Sequence, residues 1–470
     1  MIIHVVKKGE TLIAIAQQYS ISTGSLVRAN GLENPNRLVI GQALIIPYPF
    51  IRYTVRPGDT IANIISMFGV RLDETLQLNH LTDPSSIYPG QRIMIPIITH
   101  TVKPGDTLAL IAQKYGVSVQ EIMQENSIAN AGNIRVGQSL RIPAPFKKTI
   151  EVNAFTTVFG QAGAREVKDV AHDLTYVAPF GYRIRKNGSL DPLDDVPTIR
   201  AAMNGRVLPI MAITNFSATE TGTSLAHTIL SNDGLVDQLL TNILLTMKNK
   251  GYKGLNIDFE NVSPADRENY NRFLEKAVTR LHPEGYNVSS SLAPKTSSEQ
   301  KGLLYEAHDY QAHGRILDFV IPMTYEWGYR LGPPQAISPL NLMKQVIEYA
   351  VTVVPSNKIL LGFQVYARDW LLPHKEGQEA ETFDMQEALR RAIRYNATIQ
   401  YNQTSQSPFF RYTDNQGRQH EVWFEDARSA QAKLNLVKEF NLKGVSYWVL
   451  GYPFPQNWTL LENNFVIKKF

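Results

Sequence analysis

Three copies of one short pattern open the chain, and no other feature restricts its fold as tightly. His4-Val-Val-Lys-Lys-Gly-Glu-Thr-Leu, Tyr53-Thr-Val-Arg-Pro-Gly-Asp-Thr-Ile and His100-Thr-Val-Lys-Pro-Gly-Asp-Thr-Leu each begin a unit that closes on Gly-Gln and then Ile-Pro. Gly9, Gly58 and Gly105 recur at intervals of 49 and 47 residues. The sets Asn30, Asn79 and Asn126, then Gly41, Gly90 and Gly137, then Pro47, Pro96 and Pro143 keep the same two intervals. Landmarks held in one register through three copies mark a tandem array. Each copy reads as a short strand, a Gly-Asp/Glu-Thr turn whose Thr or acid caps a helix, a second short helix and a closing strand. The modules are expected at 1–48, 52–97 and 99–144.

After the linker Pro143-Ala-Pro-Phe-Lys-Lys the pattern changes to short β-rich runs alternating with longer amphipathic helices. Runs at 151–157, 174–178, 207–213, 254–259, 287–292, 319–323, 359–363 and 445–450 read as strands, and eight of them alternating with helices predict an α/β fold, a (β/α)8 barrel over 150–470. Leu235, Leu239, Ile243 and Met247 recur at spacing four before the fourth run, the apolar stripe of a helix. Beyond that run, Ser263 with Pro264 reads as the start of another helix, whose apolar face carries Tyr270, Phe273, Leu274, Ala277, Val278 and Leu281.

The fourth run, Lys253-Gly-Leu-Asn-Ile-Asp-Phe-Glu260, departs from an ordinary barrel strand. Alternation puts Asn256, Asp258 and Glu260 on one face and Leu255, Ile257 and Phe259 on the other. Residues two apart on a strand are separated by roughly 6.5 Å, so both carboxylates can touch one bound sugar. Inward barrel positions are ordinarily bulky and apolar, which makes three polar groups there a candidate for acid catalysis.

Composition removes other classes. The chain has 470 residues and no Cys, which excludes disulfides, thiolate metal sites and a Cys nucleophile. No apolar run reaches the length of a membrane span, and the first residues lack the features of a signal peptide, so synthesis in the cytoplasm and no membrane partner are expected. The net charge of +4 comes wholly from residues 1–147, which hold 13 Lys and Arg against 9 Asp and Glu. That surplus suits an anionic wall polymer and is too weak for nucleic-acid binding. No Gly-x-Ser-x-Gly, His-Glu-x-x-His, phosphate loop or dinucleotide fingerprint occurs, and the ten His show no metal-ligand spacing, so neither cofactor nor metal is expected.

The three N-terminal units resemble LysM modules, βααβ domains that bind N-acetylglucosamine-containing glycans. The resemblance implies a glycan groove between the loop after the first strand and the loop before the last. It points to Gly58, Asp59, Thr60, Gly105, Asp106 and Thr107, with partners near Ile87 and Ile134. The first copy has Lys8-Gly-Glu10 in place of Pro-Gly-Asp.

The C-terminal region resembles the family-18 glycoside hydrolases, which carry Asp-x-x-Asp-x-Asp-x-Glu on the fourth strand of a TIM barrel. Lys253 and Asn256 replace the first two acids here, while Asp258 and Glu260 remain. Pro322-Met-Thr-Tyr-Glu-Trp327 is similar to the family's Met-x-Tyr-Asp segment, with Glu326 where Asp is commoner. Ser446-Tyr-Trp448 is similar to its last-strand Trp, and a small α+β insertion is expected near 395–425. The resemblance implies Glu260 as general acid and then base, Asp258 and Tyr325 on the substrate's acetamido group, and Asn256 beside them without the proton a paired acid would share. Trp448 is expected to floor the sugar, and Met323, Glu326 and Gln364 complete the expected substrate contacts. Glu260 has to rise from about 4.3 toward neutrality to act. Such enzymes use the substrate's own acetamido oxygen as nucleophile and retain configuration.

LysM modules in front of such a barrel resemble the cortex-fragment lytic enzymes of endospore-forming bacteria. The expected function is a spore-associated peptidoglycan N-acetylglucosaminidase. The alternatives are a chitinase or chitooligosaccharide hydrolase, or a chitinase-like wall lectin without catalysis.

Overall fold

The recurring Asn, left without a role by the sequence, is what closes each N-terminal module in the structure. The computed structural model describes residues 2–470 except 20, 48–49, 69, 71, 73–74, 77–78, 80, 82, 97, 116, 144–146 and 218–220. It divides into two compact units, one formed chiefly by residues up to Lys148 and the other chiefly by residues from Thr149. In the first unit, Asn30 donates to the carbonyls of Leu26 and Ile45 (both 2.9 Å) and accepts from the Ile45 amide (2.6 Å). Asn79 repeats this with Thr75 and Met94, and Asn126 with Ile122 and Arg141. One side chain thus ties a helix end to the closing strand 15 residues later.

Terminal strands pair in each module: Ile2–Val5 with Ala43–Ile46, Phe50–Thr54 antiparallel to Arg92–Pro96, and Ile98–Thr101 antiparallel to Ser139–Ile142. Helices Leu12–Gln18, Ile61–Phe68 and Leu108–Tyr115 pack Leu12 and Ile15, Ile61 and Ile64, and Leu108 and Ile111 into three small cores. A second helix follows in the first module (Thr23–Asn30) and the third (Val119–Glu125), where Ser118 and Glu121 form a capping box. Most of the second helix expected in the middle module, the expected boundaries at 48, 97 and 144, and linker residues 144–146 lie outside the described residues.

The second unit contains the eight expected strands: β1 (Lys148–Thr156), β2 (Tyr176–Pro179), β3 (Leu208–Thr214), β4 (Gly254–Asp258), β5 (Asn287–Leu292), β6 (Phe319–Pro322), β7 (Leu360–Gln364) and β8 (Gly444–Trp448). They pair in parallel in the order β6-β5-β4-β3-β2-β1-β8-β7. A single parallel bridge between Val320 and Ile359 closes β6 onto β7. Phe155, Tyr176, Ile210, Phe319, Ile321 and Leu360 form one buried cluster contributed by strands around the sheet, the packed interior of a TIM barrel. Outward, Phe259 stacks on Phe273 at 5.7 Å and on Tyr270 at 5.8 Å.

The helix before β4, Asp233–Lys250, is capped by Asn232 and stops at Gly251, whose φ of 87° is left-handed. After β4, Ser263 caps a 3-10 turn, Pro264–Asp266, and the helix proper begins only at Arg267. Asp266 is held there by His227 at 2.9 Å. The antiparallel insertion is larger than the 395–425 expected: Ala367–Leu372, Glu381–Phe383, Gln400–Asn402, Ser407–Thr413 and Gln419–Trp423 make one five-stranded sheet. Its first strand follows β7 so closely that the alternation runs on without a visible break. Among the described residues no helix is long and apolar enough to cross a membrane.

The β6–β7 seam depends on Gly362. A Cβ there would stand 2.6 Å from the Pro322 carbonyl and 3.3 Å from the Tyr325 ring. Gly362→Ala is expected to destabilise the barrel by about 1–3 kcal/mol, as overpacking does, read from urea denaturation. An unchanged midpoint would mean that the seam opens freely.

Candidate active site

Parallel pairing at the centre of the barrel aligns Ala212 with Asn256 and Thr214 with Asp258 on one side, and Asn256 with Ser289 on the other. Asn256 and Asp258 are buried on the strand as alternation required. Glu260 lies two residues past the end of β4 and is half-buried, so the three expected wall groups are two on the strand and one on the turn that follows. The ladder between β3 and β4 ends at Thr214 and Asp258 because the chain leaves both strands there.

Asn215 takes up where the ladder stops. Its Oδ1 accepts from the Glu260 amide at 2.9 Å, and its Nδ2 donates to the Glu260 carbonyl at 2.7 Å and the Gly222 carbonyl at 3.0 Å. On the other side, His308 Nδ1 accepts from the Ala293 amide at 2.7 Å, which leaves Nε2–H to donate to the Phe259 carbonyl at 2.9 Å. Burial pushes His308 down to about 4, so it stays neutral in this role.

Asn256 has lost a shared proton and gained hydroxyl partners. Its Nδ2 donates to Ser289 Oγ and its Oδ1 accepts from Ser291 Oγ, both at 3.2 Å. Asp258 Oδ1 is fully enclosed and has no hydrogen-bond partner among the described residues. A buried carboxylate oxygen without a donor is costly in an isolated protein. Burial pushes Asp258 up to about 6, against a hydrogen bond from Ser291 that lowers it. Glu260 is pushed up to about 8 by burial and by the charges of Asp258 and Glu326. As a pair, Asp258 ionises first and Glu260 keeps its proton through neutrality.

The loop after β6 brings Tyr325 and Glu326 to the same mouth. Burial and the surrounding carboxylates raise Tyr325 well above its ordinary value, so its hydroxyl remains a donor. Its ring lies parallel to Trp448, with centroids 6.4 Å apart and an interplanar angle of 8°. Trp448 also meets Phe155 and Phe180 at 5.5 and 4.9 Å. Glu326 stands in the left-handed region with φ of 68°, and both its oxygens are engaged: Arg368 grips them at 2.8 and 2.9 Å and the Tyr366 hydroxyl donates to one. A bidentate guanidinium pair of this kind fixes geometry, so Glu326 is held in place while its charge acts on Glu260.

Gln364, expected as a substrate contact, also has partners within the protein. It is fully buried, its amide donates to Glu425 at 2.9 Å, and its oxygen accepts from Ser338. Met323 is half-buried and its amide is bonded to the Leu292 carbonyl at 2.8 Å. Asn215, Ser291, Tyr366, Arg368 and His308 were not expected. For Ser291 a signal existed: three consecutive serines, Ser289 to Ser291, interrupt the apolar character of the strand expected at 287–292.

In the modules, Gly58 and Gly105 adopt φ of 86° and 88°, which lets the turn reverse tightly. Asp59 accepts from the Arg56 amide at 2.7 Å and the Tyr53 hydroxyl at 2.6 Å; Asp106 meets the Lys103 amide and His100 Nε2, both at 2.7 Å. Thr60 and Thr107 cap helices, accepting from the Asn63 and Leu110 amides at 3.2 Å. These side chains shape the turn, so any ligand there meets its backbone and rim.

A titration follows from the two acids. Glu260 favours its protonated form when folded, so its contribution to stability is complete below the unfolded value near 4.5 and is lost as pH rises through about 8. Glu260→Gln removes that loss. Its melting temperature should match the parent protein's at pH 4 and exceed it increasingly up to pH 8. A constant difference across that range would contradict the raised acid.

Known proteins resemble this chain along its whole length. The model of glycosyl hydrolases family 18 matches residues 132–452, and the LysM domain model matches 4–47, 53–96 and 100–143. The chain is 50% identical to the cortical fragment-lytic enzyme of Bacillus subtilis over 89% of its own length and 99% of that protein's. Identity to the Bacillus cereus enzyme of the same name is 45%, over 88% and 98%. The crystal structure of the Bacillus megaterium spore cortex-lytic enzyme SleL superposes with a TM-score of 0.81 at 38% identity, covering 100% of this chain and 99% of that one. The chain belongs to glycosyl hydrolases family 18, with three LysM domains ahead of the catalytic barrel.

Proposed function

We propose that the protein is a retaining N-acetylglucosaminidase of spore-cortex peptidoglycan, held on its substrate by the LysM domains. The observation that carries this reading is the unpartnered, buried Asp258 Oδ1 beside a carboxyl that keeps its proton at neutral pH. Enclosed as it stands, that oxygen gains a donor when the Asp258 side chain turns toward the mouth and meets an N–H of the substrate, and a 2-acetamido group supplies one. The relatives of 50% and 45% identity are named for lysis of cortical fragments, which supports this glycan over chitin.

The chemistry follows from the groups present. Glu260 donates its proton to the glycosidic oxygen as that bond breaks, and the acetamido oxygen closes on the anomeric carbon to give an oxazolinium-like intermediate. Asp258, ionised, orients the acetamido N–H and offsets the developing positive charge. The Tyr325 hydroxyl donates to the acetamido carbonyl, and Trp448 supports the ring of the sugar. Glu260, now a carboxylate, takes a proton from water, which opens the intermediate from the first face and retains configuration. Glu326 does not compete as a nucleophile, because Arg368 and Tyr366 hold both its oxygens.

Glu260→Gln is expected to abolish release of reducing ends from purified cortex while leaving sedimentation of the protein with that cortex intact, since the amide cannot donate the proton. Turnover near that of the unmodified enzyme would refute the acid assignment. Asp258→Asn keeps size and loses charge, so kcat should fall on the order of 10²–10³-fold with little change in KM. A thiazoline analogue of N-acetylglucosamine should inhibit, as mimics of a cyclic intermediate do; equal cleavage of a substrate without the acetamido group would exclude substrate assistance. Mass analysis of products decides between cortex and chitin.

A further inference from the structure

The acid assigned above sits on a turn, and turns are poor platforms for a group that must meet its target within a fraction of an ångström. The backbone contacts around it supply the missing rigidity. Beyond Thr214 and Asp258 the β3–β4 ladder has no further backbone rung. The side-chain amide of Asn215 presents one acceptor and one donor to the N–H and C=O of a single residue, Glu260, at 2.9 and 2.7 Å. A neighbouring strand would offer the same pair. Only one orientation of that amide fits, because its nitrogen faces two carbonyls, those of Glu260 and Gly222, and its oxygen faces an N–H. Asn215 is itself fully buried, and Gly222 leaves it room: a Cβ there would stand 3.1 Å from Nδ2. Immediately past Glu260 the chain turns away through Asn261, at φ of 53°.

We infer that Asn215 is a positioning residue for the catalytic acid: its amide serves as the last rung of the barrel ladder and fixes the peptide from which the Glu260 side chain projects. The inference rests on the assignment of Glu260 as the acid. A space-filling role, or a simple tether between the loops after β3 and β4, would need neither the donor nor the acceptor to face Glu260. The same two loops are also joined by the Thr223 hydroxyl, which donates to the Asn261 carbonyl at 2.6 Å and does not touch Glu260. That second tether provides a control.

Three variants in the full-length protein separate the roles. Asn215→Ala should lower kcat by about 10–100-fold, the scale of a small misplacement of a reacting group, with KM changed by no more than about twofold. Asn215→Asp is isosteric and keeps the acceptor, but sets an oxygen against two carbonyls; it should be at least as impaired, whereas a space-filling role predicts near-normal activity. Thr223→Val should leave kcat close to that of the unmodified enzyme. The pH profile gives a readout that loss of fold does not. The groups facing Glu260 are Asp258 on β4 and Tyr325 and Glu326 after β6, with Arg368 and Tyr366 behind Glu326, and Asn215 is hydrogen-bonded to none of them. Released from its clamp, Glu260 in Asn215→Ala should gain solvent and the alkaline limb of kcat should move down by about one pH unit. Equal losses in Asn215→Ala and Thr223→Val with an unmoved limb, or a fully active Asn215→Asp, would overturn the inference. Glu260→Gln assayed beside them tells the two failures apart: if it is inactive while Asn215→Ala is unimpaired, only the clamp is wrong, and if it is active the acid itself is misassigned.

Discussion

Desolvation of two carboxyl groups is the constraint on which the rest of the barrel mouth depends. Asp258 and Glu260 both rise because the barrel removes water from them, and the second rises further because the first is charged. Neither effect stabilises the fold. The surrounding structure must therefore hold the two groups where they would not choose to be, and most of the polar contacts found there serve that end. Ser289 and Ser291 hold Asn256, His308 and Asn215 hold the peptides on either side of the acid, and Arg368 with Tyr366 holds Glu326.

This arrangement also accounts for Asn256 in place of a second acid. With an acid there, a proton would be shared along the strand, and three carboxyl groups would compete in one enclosed space. The amide instead takes a donor and an acceptor from two serines of β5, so the charge in the wall is confined to Asp258. The hydroxyl of Ser291 stands within reach of both Asn256 and Asp258 and has one proton to give, so it relieves the aspartate only when it turns from the amide. Charge in the wall is thus set by two strands, β4 and β5, and not by the acidic strand alone.

The N-terminal modules are built on a different economy. Each is too small for a large core and closes on a few apolar residues together with one Asn that makes three backbone bonds. The Gly-Asp/Glu-Thr turn is held by its own side chains, with a His in the first and third modules and a Tyr in the second reaching the same carboxylate position. Repetition of these contacts, and not their strength, is what made the modules plain in the sequence.

The residues themselves determined every feature that rests on short-range geometry. Short β-rich runs of five to seven residues located the eight strands, the apolar stripe located the helix before β4, and the fixed intervals of Gly and Asn located the modules. Asp258 and Glu260 were legible for the same reason, as acids on one face of an otherwise apolar run. Only the tertiary structure decided what engages them. Asn215 reaches Glu260 across 45 residues and Arg368 reaches Glu326 across 42, and neither distance leaves a periodic trace. That Arg368 meets Glu326, and Ser338 and Glu425 meet Gln364, was likewise decided by barrel closure and the insertion. A sequence records which face of a strand a side chain occupies, because the backbone alternates locally. Which partner waits on that face is fixed by the register between strands, which exists only once the sheet has closed.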